Sequence, residues 1–423
     1  MNQRSEASFQ KTFNILMEAG FLWSIFFVPW GPVVRYFGWL LFLIGFGGEF
    51  FRRKKIPASR LHRNIKVLLW IFMAWGAFVT YLAGDSAYWF VKGYSSVLEM
   101  SFGIWTASVV AGFQPRILKR FFCVVAISAL VVSLWSVGSF VLYSSMTGPF
   151  SNPNILGLYA VTSFPVVMSL MMSGSDKVKK TAGLLLSYAG TLFMILISFS
   201  TAAWVCTFFI VLFLAFMTAS VFKSAKPLIL PLVSILLIIV TTAGSVAFLP
   251  EHQRKTLFHN LSREMKQINI FNKDMNWETF TNTRSDIWKG TILMIREKPV
   301  TGWGWGQFKR TFMDFNSSWW KNGRPFDEHN LYLNMLFTGG VFNLVLFLIL
   351  LYITLRHSWE KMRRYKSFFF LGIVALLFCQ IIFSFAGNIF EFREIACIVW
   401  GAIGLGNCTF RTRETGIQSP SAL

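Results

Sequence analysis

Acidic residues are scarce in this chain: 19 Asp and Glu stand against 40 Lys and Arg in 423 residues. Charged residues of both signs make up only 14%, where soluble domains carry roughly 25%. Hydrophobic residues reach 54% and mean hydropathy is +0.53, which excludes an ordinary water-soluble globule. The chain contains no Asp-x-Asp pair, the common acidic clamp for a metal–nucleotide-sugar complex, and Trp319-Trp320 is followed by Lys321-Asn322-Gly323, not by acids. It has no glycine-rich loop of the P-loop type, so ATP-driven work is not expected. Its five cysteines (Cys123, Cys206, Cys379, Cys397, Cys408) fall inside or at the ends of hydrophobic segments. They form neither a disulfide framework nor a Cys-x-x-Cys metal pattern and read as packing residues. No cofactor and no metal site is expected.

What is present is hydrophobic length. A membrane span needs about 20 mostly apolar residues, and such segments lie at 12–30, 33–50, 67–83, 94–113, 121–143, 155–173, 181–199, 202–222, 227–249, 330–355, 367–386 and 392–409. The first contains Glu18 and lacks a small-residue cleavage site, so it reads as a retained helix and not a signal peptide. The expected fold class is all-α: a polytopic membrane protein of about twelve transmembrane helices. Residues 1–249 hold spans one to nine, 250–328 a long loop, 329–410 spans ten to twelve, and 411–423 a tail.

The net charge of +21 is carried by alternate loops: Arg52 to Lys66, Arg116 to Arg120, Lys177 to Lys180, Lys223/Lys226 and Arg356 to Lys366. The positive-inside rule makes that side cytoplasmic, with both termini inside. The rule accounts for the basic excess, so nucleic acid is not an expected partner; membrane lipids are.

With that orientation the 250–328 loop lies outside. It holds 13 Lys/Arg and 9 Asp/Glu and is nearly balanced. Thr283-Arg284-Ser285-Asp286 has the shape of a capping box; Ile287, Thr291 and Met294/Ile295 recur at helical spacing, and Pro299 follows the end. Gly302-Trp303-Gly304-Trp305-Gly306 is too rich in glycine for a helix. It reads as a tight turn whose indoles suit the membrane–water interface or a sugar face.

The candidate chemistry gathers at this outer side. Arg284 sits in a helical first turn, where the macrodipole disfavours a cation by roughly 0.3–1 kcal/mol. A bound anion, taken by the helix N-terminus and the guanidinium together, offsets that cost; a surface arginine or a partner for Asp286 is the plainer reading. His329 opens the tenth span in Asp327-Glu328-His329-Asn330, with a pKa suited to general-base work; an interfacial histidine bonded to a carbonyl is the alternative. Arg393 stands at the outer end of the last span between Glu391 and Glu394, either as their ion-pair partner or as a second cation for a diphosphate. Asn154, in Gly148-Pro149-Phe150-Ser151-Asn152-Pro153-Asn154, could bond a sugar or phosphate or cap its helix.

These motifs occur in one order: the 148–154 turn, Asn282-Thr283-Arg284-Ser285-Asp286-Ile287-Trp288, Pro299-Val300-Thr301-Gly302-Trp303-Gly304-Trp305-Gly306-Gln307-Phe308, and His329-Asn330-Leu331-Tyr332-Leu333 followed by Gly339-Gly340. Together they resemble the O-antigen ligase/polymerase superfamily of bacterial membrane glycosyltransferases, over roughly residues 143–400. The resemblance implies a GT-C-like fold in the inner membrane and a periplasmic active site. It implies metal-independent transfer of a glycan from an undecaprenyl-pyrophosphate donor to an acceptor such as lipid A–core or another glycolipid or glycan. In that reading Arg284 holds the diphosphate and His329 assists the acceptor hydroxyl as base or orienting group, while Arg393, Asn154, Asn330, Trp303 and Trp305 bind substrate. A ligase comes first, a repeat-unit polymerase second and a protein O-oligosaccharyltransferase third. A twelve-helix secondary transporter is the competing class, disfavoured because the polar groups gather in one asymmetric outer loop, not at the midplane. One departure stands out. Members often carry an arginine in a Ser-Arg-like motif at the outer end of span eight, and the matching Ser200-Thr201-Ala202-Ala203-Trp204 has no cation; either Arg393 or another loop cation such as Arg263 replaces it, or the diphosphate is bound differently.

Overall fold

The computed structural model describes residues 3–84, 86–143, 145–173, 178–222, 251, 284–316, 327–390 and 392–410. The expected ninth span, most of the loop with Arg263 and Thr283, the Trp319–Gly323 stretch, Glu391 and the 411–423 tail lie outside these residues.

The described chain is helical, with a single isolated bridge between Leu61 and Cys408. Eight helices come first: α1 (Gln3–Phe26), α2 (Pro32–Arg53), α3 (Arg63–Leu82), α4 (Ala87–Phe113), α5 (Ile117–Tyr143), α6 (Pro153–Met172), α7 (Val178–Ile197) and α8 (Thr201–Met217). Two shorter ones, α9 (Arg284–Glu297) and α10 (Phe308–Asn316), precede α11 (Leu331–Tyr365), α12 (Phe368–Phe383) and α13 (Arg393–Gly406). Eleven of the twelve expected spans thus coincide with helices. By length and composition alone, seven are fit to cross a membrane: α2 to α6, the run from α8 to Phe222, and α11. Shorter apolar helices occupy α7, α12 and α13. The chain is a polytopic helical membrane protein.

Local chemistry sets the boundaries. Asn152 caps α6, its Oδ1 accepting from the Asn154 N–H at 2.7 Å, with Pro153 in the first turn, where a missing N–H costs nothing. Asn330 caps α11 by accepting from the N–H groups of Tyr332 and Leu333 at 2.9 and 3.0 Å. In α1 the charge of Glu18 is met by Gln114 at 2.8 Å and by Arg120, so this buried acid is satisfied.

Packing follows small residues where helices meet closely. A Cβ on Gly20 would lie 2.4 Å from the Gly38 carbonyl, and one on Gly38 would lie 2.6 Å from that of Gly20. The α1–α2 hairpin therefore joins through backbone contact, the membrane solution when lipid is as apolar as leucine. Helix α6 is buried from Ile155 to Leu170, as befits a helix apolar all round. It is tied to α12 by Gln380 Nε2 donating to Thr162 Oγ1 at 2.7 Å.

The most informative distortion is in α11. Its helix breaks at Gly339 and Gly340, the latter at φ 68° and ψ −168°. The backbone groups freed there are taken up by the segment 299–304. Trp303 and Gly304 N–H donate to the Phe337 and Thr338 carbonyls at 2.7 and 3.0 Å, and Val341 N–H donates to the Pro299 carbonyl at 2.9 Å. Trp75 Nε1 donates to the Gly339 carbonyl at 2.8 Å. Irregular backbone among apolar helices is tolerated only when satisfied in this way.

Helices α9 and α10 pack a small core of Ile287, Met294, Phe308 and Phe312 against Phe337 of α11. Within the described part of the long loop, the segment between α9 and α10 is clamped to the α11 break.

Candidate functional site

A cavity of about 320 Å³ opens where several helix ends converge. Ser151, Asn152, Asn154 and Ile155 come from the start of α6, Ser200 and Ala202 from the start of α8, Arg284 from the start of α9, and His329 from the residue before the α11 cap. Phe383, Ala386 and Phe392 close it from the end of α12 and the approach to α13. Residues far apart in sequence thus meet: Asn154, Arg284 and His329 line one space. Two helix N-termini (α6, α8) sit at its wall, each presenting partial positive charge, and the first described residue of α9, Arg284, joins them.

His329 is held in a defined pose. Its Nδ1 lies 2.8 Å from Asp327 Oδ1, and that carboxylate is 1% exposed while the imidazole is 28% exposed. The same oxygen accepts the His329 backbone N–H at 3.2 Å. A carboxylate at Nδ1 suits the tautomer that donates from Nδ1 and accepts at Nε2. The residue pays for this pose with φ 49°, a left-handed conformation that side chains other than glycine adopt only when surroundings impose it.

Arg284, half-buried, is the first residue of α9. Asp286 pairs with Lys289 at 3.5 Å. One turn on from Arg284, Trp288 donates from Nε1 to the Glu328 carbonyl at 2.9 Å, and Glu328 Oε2 accepts from Asn334 Nδ2 at 3.1 Å. The indole therefore ties the helix bearing the cation to the segment bearing the histidine.

Residues 186–348 match the family model described as O-antigen ligase. This stretch belongs to the O-antigen ligase family. No curated protein matches the chain. The O-antigen ligase domain runs from within α7 to the middle of α11, so it contains Ser200, Ala202, Arg284 and His329, while Asn154 and the closing phenylalanines come from flanking helices. The match supports a ligase/polymerase-like function of the glycosyltransferase kind in a membrane setting.

Four residues expected at the site of the O-antigen ligase domain sit elsewhere. Asn330 spends its Oδ1 on the α11 cap and its Nδ2 on the Phe385 carbonyl at 3.3 Å; it fixes the helix end beside His329. Trp303 donates to the Met294 carbonyl at 2.8 Å, closing the C-terminal turn of α9, and stacks under Lys298 Nζ at 4.1 Å. Trp305 is 2% exposed, packed against Phe390 at 5.0 Å between ring centroids, so this indole meets neither solvent nor a sugar. The tight turn itself is as expected, with Gly302, Gly304 and Gly306 all at positive φ; burial of the turn between α3, α4 and α11 turns its indoles inward. Arg393 is engaged by α4: its guanidinium donates to Glu99 Oε1 at 3.2 Å, Ser95 Oγ at 2.9 Å and Ser96 Oγ at 3.3 Å. Arg35, 1% exposed, bonds the Arg393 carbonyl and lies 3.4 Å from Glu99. Only the neighbour Phe392 lines the cavity.

Sequence reasoning missed Asp327 as the partner of His329, although a carboxylate two residues before a histidine was a readable signal. It also missed Ser151 and Ser200, whose hydroxyl-bearing side chains carry no motif of their own.

Proposed function

We propose that this protein transfers a glycan from an undecaprenyl-pyrophosphate carrier to an acceptor hydroxyl on the extracytoplasmic face of the inner membrane, as an O-antigen ligase does. The observation that carries the reading is the meeting of Arg284, His329 and Asn154 in one cavity whose wall is built from helix N-termini. A cation and N-terminal dipoles suit a diphosphate. A histidine with a free Nε2 suits an alcohol that must lose its proton.

In this mechanism the acceptor oxygen attacks the anomeric carbon and the bond from that carbon to the diphosphate oxygen breaks. The electron pair leaves with the polyprenyl diphosphate, and the proton passes to His329 Nε2. Asp327 stabilises the imidazolium, and Arg284 stabilises the charge on the leaving group. None of the described lining residues is a carboxylate, which favours direct displacement over a covalent glycosyl intermediate. The start of α8 has no side-chain cap. Its N–H groups, with Ser200, take the place of the arginine lacking at Ala202; Arg393 serves to anchor α13 to α4. Asn154 orients the donor from the opposite wall. A polymerase would share this donor site and differ in its acceptor, so product analysis separates the two: a ligase changes the carrier of the glycan, a polymerase lengthens it.

Arg284→Ala is expected to slow transfer from a lipid-linked oligosaccharide by about 10²–10³-fold, the weight of one transition-state donor. Arg284→Lys is expected to recover part of it, since a point charge replaces the fork. Undiminished turnover in Arg284→Ala would remove the anion-site assignment. Activity of the purified enzyme is expected to persist in EDTA, because the chain lacks an acidic clamp and no trio of His, Cys, Asp or Glu converges among the described residues. A strict divalent-ion requirement would refute the metal-independent step.

A further inference from the structure

A second concavity, of about 1070 Å³, runs along the lateral face formed by α2, α3 and α4. Its walls are apolar, including Trp39, Leu43, Leu69, Met73, Phe102 and Trp105. None of its lining residues belongs to the cavity described above. One end is closed by Tyr36, Ser95 and Glu99, of which Tyr36 and Ser95 are hydrogen-bonded into the Arg35–Glu99–Arg393 cluster. From Ser95 to Trp105 the wall spans about 15 Å at the helical rise, the scale of a lipid tail. The other end opens at the α2–α3 loop, between residues 56–61 and Lys66.

That mouth is strongly basic. Arg52 and Arg53 both pair with Glu49, but no ion pair among the described residues involves Lys54, Lys55, Arg63 or Lys66. Arg63 and Lys66 stand one turn apart on α3, both exposed, so they share a face. Lys66 Nζ spends one donor on the Ser59 carbonyl at 3.2 Å and keeps the others for an anion. Topology signals explain a basic loop; they do not explain an apolar trough opening directly beneath it.

We propose that this trough binds one anionic phospholipid of the leaflet on the basic side, its tail against α2, α3 and α4 and its phosphate at Lys66 and Arg63. The site stands independently of the glycan-transfer reading. Full-length protein purified in detergent and equilibrated with equimolar phosphatidylglycerol and phosphatidylcholine is tested by native mass spectrometry. One phosphatidylglycerol is expected to be retained over phosphatidylcholine by about tenfold or more, the weight of one or two near-surface cations. Arg63→Glu with Lys66→Glu is expected to abolish that preference, and Leu43→Trp, on the lipid-facing rim, to reduce occupancy of both lipids. Equal retention of the two lipids by the unmodified protein overturns the proposal, as does an unchanged preference in the charge-reversed variant. Should that variant fail to fold, Lys66→Gln replaces it, and an undiminished preference there likewise overturns the site.

Discussion

His329→Ala is expected to lower glycan transfer by about 10²–10⁴-fold, the range general-base removal costs, while the protein still inserts and folds. The fold survives because the α11 cap belongs to Asn330 and the α9 tie to the Glu328 carbonyl, neither of which uses the imidazole. The positive φ at residue 329 even makes His329→Gly conformationally easy, so that variant should be inactive yet at least as stable. Asp327→Asn provides the finer test. It keeps an oxygen and an amide near Nδ1 but loses the charge that stabilises the imidazolium, so kcat should fall while KM for the lipid-linked donor holds. A His329→Ala enzyme with full turnover in a purified, lipid-linked assay would end the base assignment; loss of folded protein would instead show that the histidine is structural.

Gly340→Val is expected to yield no folded protein. A Cβ at that position would lie 1.9 Å from the Val300 carbonyl oxygen and 2.2 Å from its carbon. Both are backbone atoms, and the Pro299–Gly304 segment cannot retreat without releasing the bonds it makes to α11. A positive φ alone costs a branched residue about 1–3 kcal/mol, and the overlap carries the total past the roughly 4–5 kcal/mol that marks exceptional substitutions. Gly47→Ala is the control, since nothing lies within 4 Å of a Cβ there and alanine favours the helix. The readout is monodisperse yield and thermal unfolding in detergent. A Gly340→Val protein with unchanged Tm would show that the α11 break is not built as described.

The span pattern was legible because hydrophobic length is a strong signal. Eleven expected segments fall on helices, and residues from Arg284 to Glu297 are helical, as the spacing of Ile287, Thr291 and Met294 indicates. Arg284 and His329, singled out in the sequence, line one cavity in the structure. What the sequence could not display is where a side chain turns. Trp305 and Arg393 have the composition of binding residues, yet Gly93 and Thr80 admit the first into the core and Glu99, nearly 300 positions away in sequence, claims the second. The long-range partner decided each case, and pairings of that separation leave no local periodicity. Arg393 illustrates the point further: the fold supplies it with a carboxylate from α4, while the side chains of Glu391 and Glu394 lie outside the described residues.

The Trp288 bond to the Glu328 carbonyl has a mechanical consequence. It makes the start of α9 and the residue before the α11 cap a single rigid piece, braced below by the Asn334–Glu328 contact. Arg284 and His329 are thereby coupled through one side chain, Trp288, and the backbone it holds. The proposed anion site and the proposed base are in that sense joined by an indole.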